Sequence, residues 1–276
     1  MIRHGRKIGD HARMSTFVTV VDAFTDRAFR GNPAAVCILD TEADDEWMQQ
    51  VAMEMNLSET AFCTPADDVW RLRWFTPRTE VDLCGHATLA TTHVLTTDHG
   101  VEGTVHYSTR SGLLAAQAFP DGIVLDLPAD PTEEADAPRG LLAALGVPDE
   151  TPVRRGHTDY LIALERADDV RALSPAFGLL RRVDCRGVIV TAPADPDADH
   201  DVVSRFFAPA VGVDEDPVTG SAHRTLAPFW SARLDRDRLR YHQASARGGD
   251  LEVATVGDRV EIFGQAVTTM RGELLV

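Results

Sequence analysis

The chain has 276 residues, enough for two ordinary domains that each bury a core of their own. Its hydrophobic content of 44% and charged content of 25% are normal for a soluble globular protein, and no apolar stretch is long enough to span a bilayer. The formal charge of −16 argues against a nucleic-acid-binding surface, which needs clustered cations.

The first half of the chain is predicted to be mostly strands with two helices. Residues 1–13 are basic and polar without an apolar stretch, which predicts a disordered extension ahead of an alternative start at Met14, and not a secretory signal. Helical spacing covers 46–55, and 87–95 is the expected first central helix. The strand-like segments of this half are 17–24, 34–39, 58–62, 69–75, 104–107, 113–118 and 123–127.

The second half, which follows a candidate linker, is also predicted to combine short strands with helices. Residues 128–138 are rich in Pro, Asp and Glu without periodicity, which is typical of a linker. Many short strands with one long helix in each half predict an α+β fold, with a sheet curled around a central helix. The elements predicted here are helices 141–145 and 222–233, strands 160–164, 187–191, 252–255 and 260–263, and an acidic loop at 193–201.

One segment of the chain occurs twice. Residues 73–82 (RWFTPRTEVD) match 205–214 (RFFAPAVGVD), with Arg, Phe, Pro, Val and Asp at the same spacing. Each copy leads into a glycine, Gly85 or Gly220, followed by an apolar, helix-like run. Two copies are too few for a solenoid, so the repeat indicates two homologous halves that face each other, with a site between them.

The repeated glycines are candidate anion-binding positions. A glycine that opens a helix exposes unpaired N–H groups at the positive end of the helix dipole, which suits a carboxylate or a developing enolate. The alternative for Gly85 and Gly220 is that they only allow close packing of strand against helix, and the repeat favours binding. His86 and Ser221 follow these glycines, and each has a plain alternative as a helix cap.

Two acidic residues are candidates for proton transfer. Glu59 lies in an otherwise apolar stretch, so partial burial is expected to raise its pKa towards the range useful for acid/base catalysis. The alternative is an exposed carboxylate at a strand edge. Asp216 precedes Pro217 in an acidic run, for which the alternative is a solvated turn.

Cofactor chemistry is not expected. Lys7 is the one lysine, whereas pyridoxal phosphate enzymes need a buried lysine and P-loops need one after their glycines. No dinucleotide-binding glycine motif follows a strand. His86, His93 and His223 lack a recognised ligand spacing, so we expect no metal. The four cysteines (Cys37, Cys63, Cys84 and Cys185) form no C-x-x-C pair, which fits reduced thiols in a cytoplasmic protein.

Taken together, the motifs resemble the PhzF-like (phenazine biosynthesis PhzF) family, which shares the fold of diaminopimelate epimerase. The resemblance covers the chain from about Phe17 onward. The matching segments are 21–24 (VDAF), 31–36 (GNPAAV), 56–62 (NLSETAF), 74–77 (WFTP), 83–88 (LCGHAT), 215–223 (EDPVTGSAH), 243–249 (QASARGG) and 264–267 (GQAV).

The resemblance implies a fold and a reaction class. Two pseudo-symmetric lobes are expected, each a barrel-like, mostly antiparallel sheet around a central helix. The first would span 14–127, with a C-terminal strand at about 265–276 returning to it, and the second would span 128–264. The family works without metal or organic cofactor, shifts protons on small carboxylate-bearing substrates and usually forms homodimers.

The resemblance also assigns roles. Glu59 matches the central proton-transfer residue, and His86, Asp216 and Ser221 match positions that bind substrate and assist the proton shuttle. We therefore expect three catalytic residues, Glu59, His86 and Asp216. The expected substrate-binding residues are Gly85, Gly220 and Ser221.

One departure concerns the thiols. Diaminopimelate epimerase uses two facing cysteines, whereas this chain has Cys84 at the first position and Thr219 at the second. The leading hypothesis is therefore a cofactor-independent tautomerase or epimerase, with Cys84 a packing residue because nothing in the sequence would lower its pKa. The alternatives are an amino-acid racemase that pairs Cys84 with a non-thiol partner, and a non-catalytic small-molecule binding protein.

Overall fold

A computed structural model describes residues 15–275, so the predictions for 1–13 and Met14 lie outside the described residues. The strands of the first half are β1 (Ser15–Ala23), β2 (Asn32–Ile38), β3 (Glu59–Ala66), β4 (Val69–Phe75), β5 (Glu80–Val81), β6 (Thr104–Thr109), β7 (Gly112–Phe119) and β8 (Gly122–Pro128). Those of the second half are β9 (Glu133–Ala135), β10 (Val153–Arg155), β11 (Asp159–Ala163), β12 (Gly187–Pro193), β13 (Val202–Ala208), β14 (Val213–Asp216), β15 (Arg238–Gln243), β16 (Gly249–Val256), β17 (Arg259–Gly264) and β18 (Ala266–Leu275). The helices are α1 (Asp45–Met55), α2 (Gly85–Asp98), α3 (Leu141–Leu145), α4 (Ala167–Ala172), α5 (Phe177–Leu180) and α6 (Gly220–Leu234), with a 3₁₀ turn at Pro209–Val211.

The strand pairing repeats as the sequence does. In the first half β2 pairs parallel with β3, β3 antiparallel with β4, and β4 parallel with β6. In the second half β11 pairs parallel with β12, β12 antiparallel with β13, and β13 parallel with β15. The segment predicted from the repeat therefore occupies β4 and β13, which have the same neighbours in the two halves. The division into two lobes stays a prediction.

Two strand pairings connect distant parts of the described chain. β18 lies antiparallel to β1, so the last described strand extends the sheet that begins the chain. β8 lies antiparallel to β17, which connects the first half to the second. The result is a mixed sheet with few helices, which confirms the predicted α+β class.

Each half has one long helix, as predicted, but both begin earlier than the apolar pattern indicates. α2 begins at Gly85 and α6 at Gly220, so the glycines belong to the first turn of each helix. α2 is buried on nearly all sides although it contains several threonines. Thr88, Thr91 and Thr92 satisfy their hydroxyls by donating to carbonyls four residues back, at 2.6, 2.7 and 2.9 Å. A polar helix can therefore lie in the core.

The candidate linker is more ordered than predicted. Within it, Glu133–Ala135 forms β9, which pairs with β10. Asp130 is also fixed, because its two carboxylate oxygens accept hydrogen bonds from the His157 amide and the Thr225 hydroxyl, each at 2.9 Å. No helix among residues 15–275 combines the length and apolar character that crossing a membrane requires.

Candidate active site

The predicted site residues meet at one cavity of about 620 Å³, which is lined by both copies of the repeated segment. Glu59 is the first residue of β3, and Asp216 is the last residue of β14. Every residue predicted to be catalytic or substrate-binding lines this cavity: Glu59, Gly85, His86, Asp216, Gly220 and Ser221.

The two helix starts contact each other at the glycines. A Cβ atom on Gly85 would lie 3.2 Å from the Cα atom of Gly220, and the reverse distance is also 3.2 Å. Side chains at these positions would force the helix termini apart. The glycines therefore do allow close packing, between helix and helix and not between strand and helix, and this packing brings two positive helix ends to one point. Anion binding there stays a prediction.

Glu59 and His86 form the central contact. The Oε2 atom of Glu59 lies 3.2 Å from the Nε2 atom of His86, and the Nδ1 atom of His86 lies 3.2 Å from the side-chain amide nitrogen of Asn32. The two hydrogens of this amide group have two closer acceptors, the Asp216 carboxylate at 2.8 Å and the Val218 carbonyl at 2.9 Å. Burial lowers the pKa of His86 to about 3. A neutral imidazole therefore lies within hydrogen-bond distance of Glu59.

The environment of Glu59 favours its protonated form. Its side chain is 16% exposed. Burial and, secondly, the charge of Asp216 raise its pKa from 4.5 to about 8, against smaller opposing effects of the Cys84 thiol and Arg186. The predicted partial burial and raised pKa are present, so Glu59 can hold or release a proton near neutral pH.

Asp216 is held in place by two neighbours. Its Oδ1 atom accepts a hydrogen bond from Asn32 at 2.8 Å, and its Oδ2 atom accepts one from the Thr219 hydroxyl at 2.5 Å. Burial raises the pKa of Asp216 to about 6, and the Thr219 and Asn32 hydrogen bonds limit the rise. Asp216 therefore ionises at lower pH than Glu59, and its acidic run forms strand β14 and not a turn.

Asn32 and Gln243 are supporting residues that residue-by-residue reasoning missed. Both are fully buried. Asn32 contacts Asp216 and His86 together, and Gln243 accepts from the Thr219 amide at 2.9 Å while donating to the Asp216 carbonyl at 2.8 Å. The sequence could have indicated them, because each is a polar residue within one of the matching segments, 31–36 and 243–249.

Cys84 lies beside Glu59 and His86. Its sulfur atom is 3.5 Å from the Nδ1 atom of His86. Burial and the negative charge of Glu59 raise the pKa of the thiol well above its usual range. This environment agrees with the expectation that nothing activates Cys84 as a base.

One group of side chains has donor spacing suited to a metal ion. Among residues 15–275, donor atoms of Glu59, Cys84 and His86 lie within 4.8 Å of one another. His93 and His223 are engaged elsewhere, with the Thr268 hydroxyl at 3.0 Å and the Thr219 carbonyl at 2.9 Å. Metal binding by the triad would require the neutral Cys84 thiol to ionise.

Ser221 is placed by Arg186. Its hydroxyl oxygen lies 3.2 Å from the Nη1 atom of Arg186, whose other nitrogens form a bidentate pair with buried Asp159. The residue at the N-cap of α6 is Thr219, so Ser221 is not the helix cap.

Comparisons with known proteins identify the family of the chain. The family model described as "Phenazine biosynthesis-like protein" (PhzC-PhzF) matches residues 21–272. "Uncharacterized isomerase BH0283" of Halalkalibacterium halodurans is 50% identical over 266 residues, covering 95% of this chain and all of the relative. A PhzF family protein of Enterococcus faecalis has a crystal structure with a TM-score of 0.89 and 41% identity, covering 95% of this chain and 100% of that chain.

A more distant structure shares the fold alone. A probable proline racemase from Agrobacterium radiobacter superposes with a TM-score of 0.64 at 13% identity, over 94% of this chain and 92% of that chain. The family match spans most of the sequence, and the half-identical relative is covered from end to end. The chain therefore belongs to the phenazine biosynthesis-like PhzC-PhzF family.

Proposed function

We propose that this protein is a cofactor-independent isomerase that shifts a proton on a small carboxylate-bearing substrate. The observation that carries the proposal is Glu59, a nearly buried carboxyl with a pKa of about 8 that faces a cavity beside two helix N-termini. A group whose pKa lies near the working pH can both take and return a proton. The name "isomerase" given to the half-identical relative supports the same class of reaction.

The proposed reaction uses Glu59 on one face of the substrate. Ionised Glu59 removes a proton from carbon, the electron pair of that C–H bond forms a new double bond, and the adjacent π electrons move towards a second carbon or an oxygen. Glu59 then returns the proton at its new position. No electron acceptor is needed, because the substrate is neither oxidised nor reduced.

The neighbours of Glu59 have supporting roles in this proposal. His86, whose Nε2 atom lies 3.2 Å from the Glu59 carboxyl, orients it. The amides at Gly85 and Gly220 hold the substrate carboxylate or developing enolate at the converging helix ends. Asp216, fixed by Asn32 and Thr219, raises the pKa of Glu59 and contacts the substrate together with Ser221.

The geometry favours a one-sided proton shift over a two-thiol epimerase. Epimerisation of one carbon by two groups requires a base and an acid on opposite faces. Thr219, at the second thiol position, donates its hydroxyl to Asp216, and burial keeps Cys84 protonated. A tautomerisation or allylic shift needs Glu59 alone.

The proposal is tested by carbon-bound hydrogen exchange. Wild-type protein is incubated in D₂O with a panel of small amino and hydroxy acids, and loss of carbon-bound proton signals is followed by ¹H NMR together with product formation. We expect activity to survive dialysis against EDTA and to be lost in Glu59→Gln. Glu54→Gln is the matched control, because Glu54 is exposed on α1.

Two results would contradict the proposal. Activity that disappears with EDTA and returns with a divalent metal would assign the Glu59, Cys84 and His86 triad to a metal ion. Unchanged activity in folded Glu59→Gln would remove Glu59 from the reaction.

A further inference from the structure

The cavity is lined by three arginines, and two of them are neutralised by carboxylates. Arg110 forms ion pairs with Glu80 at 3.1 Å and Asp82 at 3.0 Å. Arg186 forms the bidentate pair with Asp159 described above. Neither has an uncompensated charge to offer a ligand.

Arg224 is different. It lies on α6 one turn after Gly220, half-buried in the cavity wall. No carboxylate in the described part of the chain forms an ion pair with it, and its one hydrogen bond runs from Nε to the Pro128 carbonyl at 2.6 Å. That bond fixes the guanidinium, while its two terminal nitrogens have no protein partner among residues 15–275.

Asp130 does not form an ion pair with Arg224. Asp130 is close enough to interact with its charge, but both Asp130 oxygens are engaged, by the His157 amide and the Thr225 hydroxyl. Burial lowers the pKa of Arg224 against the opposing charges of Asp130 and Asp159, so the cation is partly desolvated, and neither carboxylate forms an ion pair with it. A half-buried, unpaired guanidinium anchored in a ligand cavity is a binding group for a carboxylate.

We propose that Arg224 binds a second carboxylate on the substrate, so that the cavity accepts small dicarboxylic acids in preference to monocarboxylic ones. In this arrangement one carboxylate lies at the helix ends formed by Gly85 and Gly220, and the other lies at Arg224. The location of the first group rests on the proposed function, and the second group is the new element.

The test compares acids that differ by one carboxylate. Succinate and glutarate are titrated against butyrate and pentanoate by isothermal calorimetry at fixed ionic strength, with wild type, Arg224→Gln and the control Arg139→Gln. Arg139 is exposed and lies outside the cavity. We expect a dicarboxylate preference of about tenfold to a hundredfold in wild type and in Arg139→Gln, the range for a hydrogen bond to a charged group. In Arg224→Gln that preference should vanish, with butyrate affinity unchanged.

Two calorimetric results would contradict a carboxylate-binding role for Arg224. Equal affinity for both classes in wild type, or an equal loss for both classes in Arg224→Gln, would overturn the inference. If thermal denaturation shows that Arg224→Gln is unfolded, Arg224→Lys replaces it in the titrations. The dicarboxylate preference of the wild type is measured in either case. A dicarboxylate preference with neither product formation nor hydrogen exchange in D₂O would retain the subsite and reject the isomerase, whereas product formation without the preference would do the reverse.

Discussion

Replacing Glu59 with glutamine should change how the stability of the protein depends on pH. The pKa of Glu59 is raised from 4.5 to about 8 in the folded protein, so the folded state retains a proton that the unfolded state releases. The free energy of unfolding therefore falls as pH rises from about 4.5 to about 8, and this contribution is constant below and above that window. Glutamine removes the titration.

The expected magnitude follows from that interval. At about 1.4 kcal/mol for each pH unit, the unfolding free energy of Glu59→Gln minus that of wild type should increase by about 4 to 5 kcal/mol between pH 4.5 and pH 8.5. Urea titrations at steps of half a pH unit measure this difference without a substrate. Glu54→Gln, at an exposed position of α1, is the control for the loss of one carboxyl group. Parallel pH curves for Glu59→Gln and wild type would refute the raised pKa.

Three further changes test the surroundings of Glu59. Asp216→Asn removes a charge that raises the pKa of Glu59, so the pH dependence of unfolding should move to lower pH, and an unmoved curve would count against this coupling. Gly220→Ala places a Cβ atom 3.2 Å from the Cα atom of Gly85, so thermal unfolding should show a loss of about 1 to 3 kcal/mol together with lower activity, and a neutral effect would contradict the close contact. In native protein at pH 7.5 the buried Cys84 thiol should resist iodoacetamide, as peptide mass mapping can show, and rapid modification there would revive the thiol mechanism.

The fold could be predicted largely because its signals are local. The repeated segment, with the glycine and the helix-like run that follow each copy, marked the positions of β4, β13, α2 and α6. β15 was missed because Arg238 and Arg240 alternate with buried Leu239 and Tyr241, a pattern with much charge on its outer face. β9 was read as linker because its three residues gain their structure from β10, far along the chain.

The site could be predicted in its members but not in its contacts. Glu59 was identified by its apolar neighbours, and His86, Asp216 and Ser221 by their motif. The role of Asn32 depends on Asp216, which lies 184 positions away, and no local pattern reports that contact. Arg224 carried no signal either, because an arginine on a helix is usually solvated, and the lack of a carboxylate partner is visible only in three dimensions.

The most direct test of the central claim compares Glu59→Gln with Cys84→Ala on a substrate that the exchange screen identifies. Glutamine keeps the shape of the side chain but cannot accept a proton. We expect kcat to fall at least about a hundredfold in Glu59→Gln, with ligand affinity retained, and to stay within about tenfold of wild type in Cys84→Ala. A thousandfold loss in folded Cys84→Ala, with near wild-type turnover in folded Glu59→Gln, would contradict the account and assign the proton transfer to the thiol.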